Sequence, residues 1–232
     1  MADVRAVIFD LDGCLVDSEP LALDAIAAEM RALGIDDAEP EEIRDRFLGV
    51  SIGVICDHVA MRSGAACPPD FPRRFEDRVL DLYQTRLRLI DGALPLLETL
   101  KGRGLSVAIA TGGSIRRMTR TLQLSGLAPH FEGRSFSADQ VARGKPAPDL
   151  VLHAAQALGA APAGCVVFED SPHGVRGAIA AGMRAIGFVG GSHLDEIRDA
   201  HADRLREAGA ERVVTRLSDL PDAIGNPPAA TA

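Results

Sequence analysis

Asp10 and Asp12 stand two residues apart at the end of a short apolar run, Val4 to Phe9, with Gly13 closing the segment. In an extended segment residues i and i+2 point the same way, so two carboxylates at this spacing address one point. Three more polar groups occupy comparable places. Thr111-Gly112-Gly113-Ser114 follows the run Leu105 to Ala110, and Glu169-Asp170-Ser171 follows Cys165 to Phe168. Lys145 sits in Gly144-Lys145-Pro146-Ala147-Pro148-Asp149, just before a helical stretch. Acidic groups gathered at one place repel one another unless a divalent cation neutralises them. Carboxylate oxygens with few other protein ligands suit Mg²⁺, which keeps several waters and shares its shell with a phosphate. A Gly-Gly turn opening a helix offers backbone N–H groups and the positive end of a dipole to an anion. A lysine adds a point positive charge. The combination describes phosphoryl transfer with a carboxylate nucleophile.

Each signal is weak by itself. An Asp-x-Asp-Gly run is an ordinary turn, Thr-Gly-Gly-Ser an ordinary helix N-cap, and Glu-Asp an ordinary surface pair. Their weight comes from the elements that must position them. Short apolar runs at Val4–Phe9, Leu105–Ala110, Cys165–Phe168, Ala185–Val189 and Arg212–Val214 have strand length, and several are apolar almost throughout, as in a sheet covered on both faces. Helical patterns lie between them at 93–101, 115–124, 149–158, 174–181 and 195–208. This alternation predicts an α/β fold, a Rossmann-like parallel sheet with helices on both faces, and ligands bind such sheets at the carboxyl ends of the strands. Residues 16–88 break the alternation. They read as four amphipathic helices, 19–33, 41–48, 52–62 and 72–87, punctuated by Gly34, Gly49, Gly64 and Cys67-Pro68-Pro69. The expected organisation is an α/β core of 1–15 and 89–225, an inserted all-helical cap of 16–88, and a disordered tail of 226–232. Hinges are expected near 16–18 and 89–92, with Asp17 ordering the first.

In order, strand context and spacing, Asp10-Leu11-Asp12-Gly13, Thr111, Lys145 and Glu169-Asp170 resemble the four motifs of the haloacid dehalogenase superfamily of phosphohydrolases. The resemblance runs from about residue 4 to 224. It takes in Val16-Asp17-Ser18-Glu19-Pro20 and Ser171-Pro172-His173-Gly174-Val175, and it points to the subgroup of β-phosphoglucomutase, phosphoglycolate phosphatase and sugar-phosphate phosphatases, with 6-phosphogluconate phosphatase-like members most similar. It implies Asp10 as nucleophile, Asp12 as acid and then base, and Thr111 with Gly112, Gly113 and Ser114 as phosphate ligands. Lys145 is the implied neutralising cation. Mg²⁺ is the implied cofactor, held by Asp10, the Asp12 carbonyl and Asp170, with Glu169 beside them. Gly49-Val50-Ser51 aligns with a substrate-facing cap loop. The mutase pattern has a Lys and an Arg flanking that loop and a His in the cap hinge. Leu48, Ile52 and Ala22 stand there, which favours a phosphatase over a phosphosugar mutase.

Composition limits the partners. The chain has 232 residues, 47% hydrophobic and 25% charged, with a formal net charge of −8. That charge argues against a nucleic-acid backbone as partner, and no apolar run approaches the roughly 20 residues of a membrane helix. Lys101 and Lys145 are the two lysines among 25 basic residues, which sets Lys145 apart. Cys14, Cys56, Cys67 and Cys165 form no metal-binding spacing and read as reduced structural thiols. The six histidines are scattered, with no serine nucleophile beside any of them. These features predict a cytoplasmic enzyme, monomeric or a small homo-oligomer, acting on a small phosphorylated metabolite.

Overall fold

The computed structural model describes residues 4–47 and 52–225. Six parallel strands form one sheet in the order β3-β2-β1-β4-β5-β6. They are β1 (Ala6–Phe9), β2 (Ser106–Thr111), β3 (Ser135–Ser137), β4 (Cys165–Glu169), β5 (Arg184–Phe188) and β6 (Arg212–Val214). The β1 strand lies between β2 and β4, with Phe9 opposite both Ile109 and Phe168. Strand alternation divides the interior in two. Val7, Phe9, Ile109, Phe168 and Phe188 belong to one cluster, and Ile8, Ala108, Ala110, Val167 and Ala185 to the other. Helices α5 (Ala93–Gly102), α6 (Ile115–Leu124) and α10 (Leu220–Ile224) cover the first face. Helices α7 (Asp149–Ala157), α8 (Pro172–Ala180) and α9 (Arg198–Glu207) cover the second. Phe9 meets the edges of Phe131 and Phe168 at centroid distances of 6.4 and 5.7 Å. Contacts of this geometry add about 0.5–1.5 kcal/mol each beyond burial, and they anchor the strand that ends in Asp10.

The chain leaves the sheet after β1 and returns beside its own exit. Val16 bridges Leu89, Asp17 N–H donates to the Arg88 carbonyl and Ile90 N–H to that of Leu15. Between these crossings lie α1 (Glu19–Arg31), α2 (Pro40–Phe47), α3 (Ile52–Ser63) and α4 (Phe71–Arg86), which close around a third cluster that includes Met30, Ile43, Phe71 and Phe75. Leu124, at the end of α6, packs on this cluster from the sheet side.

The expected strands and helices are present, with ends displaced by a few residues, and β3 and α10 are additions. The β3 strand is three residues long with a serine at each end, too short and too polar to show a period, yet it pairs along β2 from Ser135 to Ser137. The loop Gly49-Val50-Ser51 and the tail 226–232 lie outside the described residues. Among the described residues no helix is long and apolar enough to cross a membrane.

Candidate active site

Because β2, β1 and β4 are neighbours, the residues that follow them emerge side by side at the carboxyl edge of the sheet. Asp10 N–H donates to the Phe168 carbonyl at 2.9 Å, which holds the first turn residue against β4. Gly13 then turns the chain with φ of +76°, and a Cβ there would fall 2.2 Å from Asp170 Oδ2. Only glycine satisfies both the left-handed backbone and the close approach.

Lys145 reaches the same point from the loop before α7. Its Nζ donates to Asp10 Oδ1 at 2.5 Å and to Glu169 Oε2 at 2.6 Å, and the side chains of all three are almost fully buried. The other Glu169 oxygen accepts from Ser171 N–H at 3.1 Å and Ser171 Oγ at 2.9 Å. Ser171 Oγ in turn caps α8 through Gly174 N–H. A Cβ on Gly174 would lie 1.9 Å from Glu169 Oε2, so the helix can approach this carboxylate only as glycine. Both Glu169 oxygens thus accept hydrogen bonds, one from Lys145 and the other from Ser171. The sequence pattern grouped Glu169 with the metal ligands and did not reveal this.

Asp170 is different. Its Oδ2 is buried without a hydrogen-bond partner, and the ligand atoms of Asp10, Cys14 and Asp170 all lie within 4.8 Å of one another. Burial, with the neighbouring carboxylates and against the pull of Lys145, raises Asp10 well above the usual carboxylate range; burial and Glu169 do the same to Asp170. Two buried acids and an orphaned oxygen fit a hard divalent cation. Cys14 is a poor candidate for its shell. Its soft sulfur suits such an ion badly, burial pushes its thiol up, and Sγ points to the Phe168 carbonyl at 3.9 Å. Around Asp170 stand His193, whose Nε2 is 3.0 Å from Oδ2 without hydrogen-bond alignment, and His201, whose Nε2 is 2.7 Å from the Asp170 carbonyl. Sequence reading left both histidines unassigned. The available signal was that Gly190-Gly191-Ser192-His193 follows β5, the neighbour of β4, at the same sheet edge. Ser192 also donates from N–H and Oγ to Asp17 Oδ1 at 3.1 and 2.9 Å, tying the expected hinge residue to that turn.

Asp12 is surrounded by donors. Ser18 Oγ lies 2.7 Å from Oδ1 and Tyr83 OH 3.4 Å; Arg117 Nη2 lies 3.1 Å and Thr111 Oγ1 3.3 Å from Oδ2. Burial raises its carboxyl pKa, but Arg117 and the hydrogen bonds from Ser18, Arg117 and Thr111 outweigh it, and the net shift is downward. Arg117, Ser18 and Tyr83 were not among the sequence candidates. Arg117 lies three residues beyond the helix cap Ser114, in the first turn of α6. Tyr83 comes from α4, in the last turn of a sixteen-residue helix whose pattern gave no hint of a site.

The Thr111–Ser114 turn divides its duties. Gly113 N–H donates to Thr111 Oγ1 at 3.0 Å. A Cβ on Gly113 would meet Arg117 Nε at 2.9 Å, so glycine here makes room for the guanidinium. Ser114 Oγ accepts from Arg117 N–H at 3.0 Å and donates to Glu76 Oε1 at 2.7 Å, joining the sheet to α4. Gly112 is exposed at the mouth of the turn. A single cavity of about 410 Å³ opens over these residues, bounded by Asp10, Asp12, Thr111, Gly112, Lys145 and Asp170 on the sheet side and by α1 to α4 on the other.

A parallel α/β sheet with paired aspartates after its first strand and a lysine-bridged acid pair after a later one defines a hydrolase of the haloacid dehalogenase-like class. The family model for haloacid dehalogenase-like hydrolases matches residues 4–182, and the chain belongs to that family. It is 30% identical over 194 residues to 6-phosphogluconate phosphatase of Escherichia coli K12, covering 83% of this chain and 86% of that protein. It is 35% identical over 184 residues to hexitol phosphatase A of the same strain, covering 78% and 82%. A conserved haloacid dehalogenase-like protein of unknown function from Agrobacterium tumefaciens superposes with a TM-score of 0.80 at 36% identity, over 95% of this chain and 97% of that one.

Proposed function

We propose that this protein is a Mg²⁺-dependent phosphatase that hydrolyses a small phosphorylated metabolite of the sugar or sugar-acid class through an aspartyl-phosphate on Asp10. The observation that carries the reading is the Lys145 ammonium bridging Asp10 and Glu169 beside an unpartnered Asp170 oxygen. Relatives named for 6-phosphogluconate and hexitol phosphates support the substrate class.

Asp10 attacks phosphorus, and the ester P–O bond breaks. Asp12 gives a proton to the departing alcohol oxygen, then takes one from the water that cleaves the acyl phosphate, which restores the Asp10 carboxylate and releases phosphate. The donors around Asp12 hold it as a carboxylate, the form the water step requires. Its acid role requires that the Arg117 contact loosen while the ester is bound. Thr111 and the N–H of Gly112 hold a phosphoryl oxygen, and Lys145 offsets charge on Asp10 and the phosphoryl group. Asp10, Asp170 and the Asp12 carbonyl would hold the Mg²⁺, which supplies charge neutralisation at a phosphoryl oxygen.

Among the contacts that join the cap and sheet is the exposed pair Arg116–Asp77 at 2.7 Å. Exposed pairs contribute about 0–1 kcal/mol each, so they steady the cap without preventing substrate entry.

The test is phosphate release from a panel of phosphorylated metabolites with Mg²⁺ and with chelator, using wild type beside D10N. Chelator-sensitive release that D10N abolishes is expected. Release that survives in D10N overturns the nucleophile assignment.

A further inference from the structure

The cavity over Asp10 is polar on one side and apolar on the other. Its polar groups are those of the strand ends and α6, joined by Glu19 at the start of α1 and Glu76 on α4. One Glu76 oxygen, Oε1, accepts from Ser114. Beyond them the wall contributed by α1 to α4 is apolar: Leu23, Ile26, Ile43, Phe47, Ile55 and Phe75. The phosphoryl group occupies the sheet side, among Asp10, Thr111 and Lys145. The leaving alcohol therefore projects toward that wall.

A hydroxyl facing those six side chains finds no hydrogen-bond partner on them, and each unpaired hydroxyl forfeits hydrogen bonds it made to water. An apolar substituent there gains by burial. Close to the ester, Glu19, Asp12 and Arg117 can pair with one or two hydroxyls.

We infer that the preferred substrate is a phosphorylated carbohydrate or polyol that is hydroxylated near the phosphoester and apolar at its far end, deoxygenated, alkylated or aryl-capped. This rests on the phosphatase reading above. Leu23, Ile26, Ile43 and Phe47 then act as specificity residues, and they select by excluding unsatisfied hydroxyls as well as by contact.

The experiment compares kcat/KM with Mg²⁺ for three probes: acetyl phosphate, glucose 6-phosphate, and phenyl β-glucoside 6-phosphate, which carries its ring at the end remote from the phosphate. The phenyl glucoside is expected to exceed glucose 6-phosphate by about tenfold or more. Ile52 of α3, half-buried and also lining this wall, gives the variant. I52Q is expected to lower the ratio of phenyl glucoside to glucose 6-phosphate at least about threefold, and a ratio within one preparation is independent of how much of it folds. Acetyl phosphate turnover with equal or slower hydrolysis of the phenyl glucoside overturns the inference, as does an unchanged ratio in I52Q. Failure to hydrolyse any probe, acetyl phosphate included, overturns the phosphatase reading instead.

Discussion

Lys145 Nζ lies 2.5 Å from Asp10 Oδ1, with both side chains only 8% exposed, and the lysine is held there by Glu169. Burial lowers the Lys145 pKa, Asp10 and Glu169 raise it, and the net shift is upward, so the ammonium persists across the working pH range. Removing one partner of a buried pair leaves an uncompensated charge and costs about 3–5 kcal/mol. K145M is therefore expected to lose roughly that stability at pH 7 without metal. With the ammonium gone, the Asp10 and Asp170 pKa values rise further above their unfolded values. The deficit must then shrink as pH falls and the acids take protons. Urea unfolding of K145M and wild type in chelator at pH 5 and pH 7 measures this, and an equal deficit at both would contradict it. Phosphatase activity should fall by about a thousandfold or more.

Arg117 bears on Asp12 in the same way but with the opposite use. Its guanidinium favours the Asp12 carboxylate, so removing it raises the Asp12 pKa. In R117M the acidic limb of the pH–kcat profile should move upward by about one unit where the water step limits turnover. The loss would approach about tenfold only below the ordinary carboxylate value of 3.8 and would be small by pH 7. R117K, which keeps a cation, should recover part of the shift. A profile that drops evenly at all pH values would make Arg117 a purely structural residue.

The extent to which this site was legible follows from where its residues sit. Asp10, Thr111 and Asp170 end strands or follow them directly, and the period of a buried parallel strand is visible in four or five apolar residues. Lys145 stood out because lysine is scarce in this chain. Arg117, Tyr83 and His193 were hidden for a common reason. Each reaches the site from an element whose own pattern is ordinary, and only the folding of α4, α6 and the turn after β5 around one strand edge brings them to Asp12 and Asp170. The split of the acid pair, Glu169 on Lys145 and Asp170 left open, depends on side-chain direction after β4. Adjacent residues in sequence carry no mark of it.

Glu19 gives a pH-dependent test of the cavity. Burial raises its pKa to about 7, Asp12 and Asp170 add to the rise, and His193 opposes it. Below its ordinary value of 4.5 both folded and unfolded states hold the proton, and no penalty exists. Between that value and 7 the unfolded chain releases a proton that the native state keeps, so stability falls; above 7 the penalty is constant. E19Q cannot ionise. Its advantage over wild type should grow from pH 4 to pH 7 and then level, reaching on the order of 1–3 kcal/mol, with solvent at the exposed part of the side chain reducing it. Urea midpoints in chelator at pH 4, 6 and 8 report the trend. A difference that stays flat would mean that Glu19 titrates normally.

Metal binding should be visible as stability before any substrate is known. Asp10 and Asp170 carry proton affinities raised by burial and by neighbouring carboxylates, and Asp170 Oδ2 lacks a hydrogen-bond partner. A divalent cation bound by the folded state alone relieves that repulsion and stabilises by mass action, about 2.7 kcal/mol at a hundred times its Kd. For a chain of this size that is about 5–10 °C in Tm. Wild type is expected to show the rise with Mg²⁺ at pH 7.5 and to lose most of it near pH 5, where protons compete for the same oxygens. D170N should be the more stable protein in chelator, because it removes one buried acid, yet gain little from Mg²⁺. The crossing of these two effects separates a lost ligand from a damaged fold. If D170N were less stable without metal and equally stabilised by it, the cation would have to sit elsewhere.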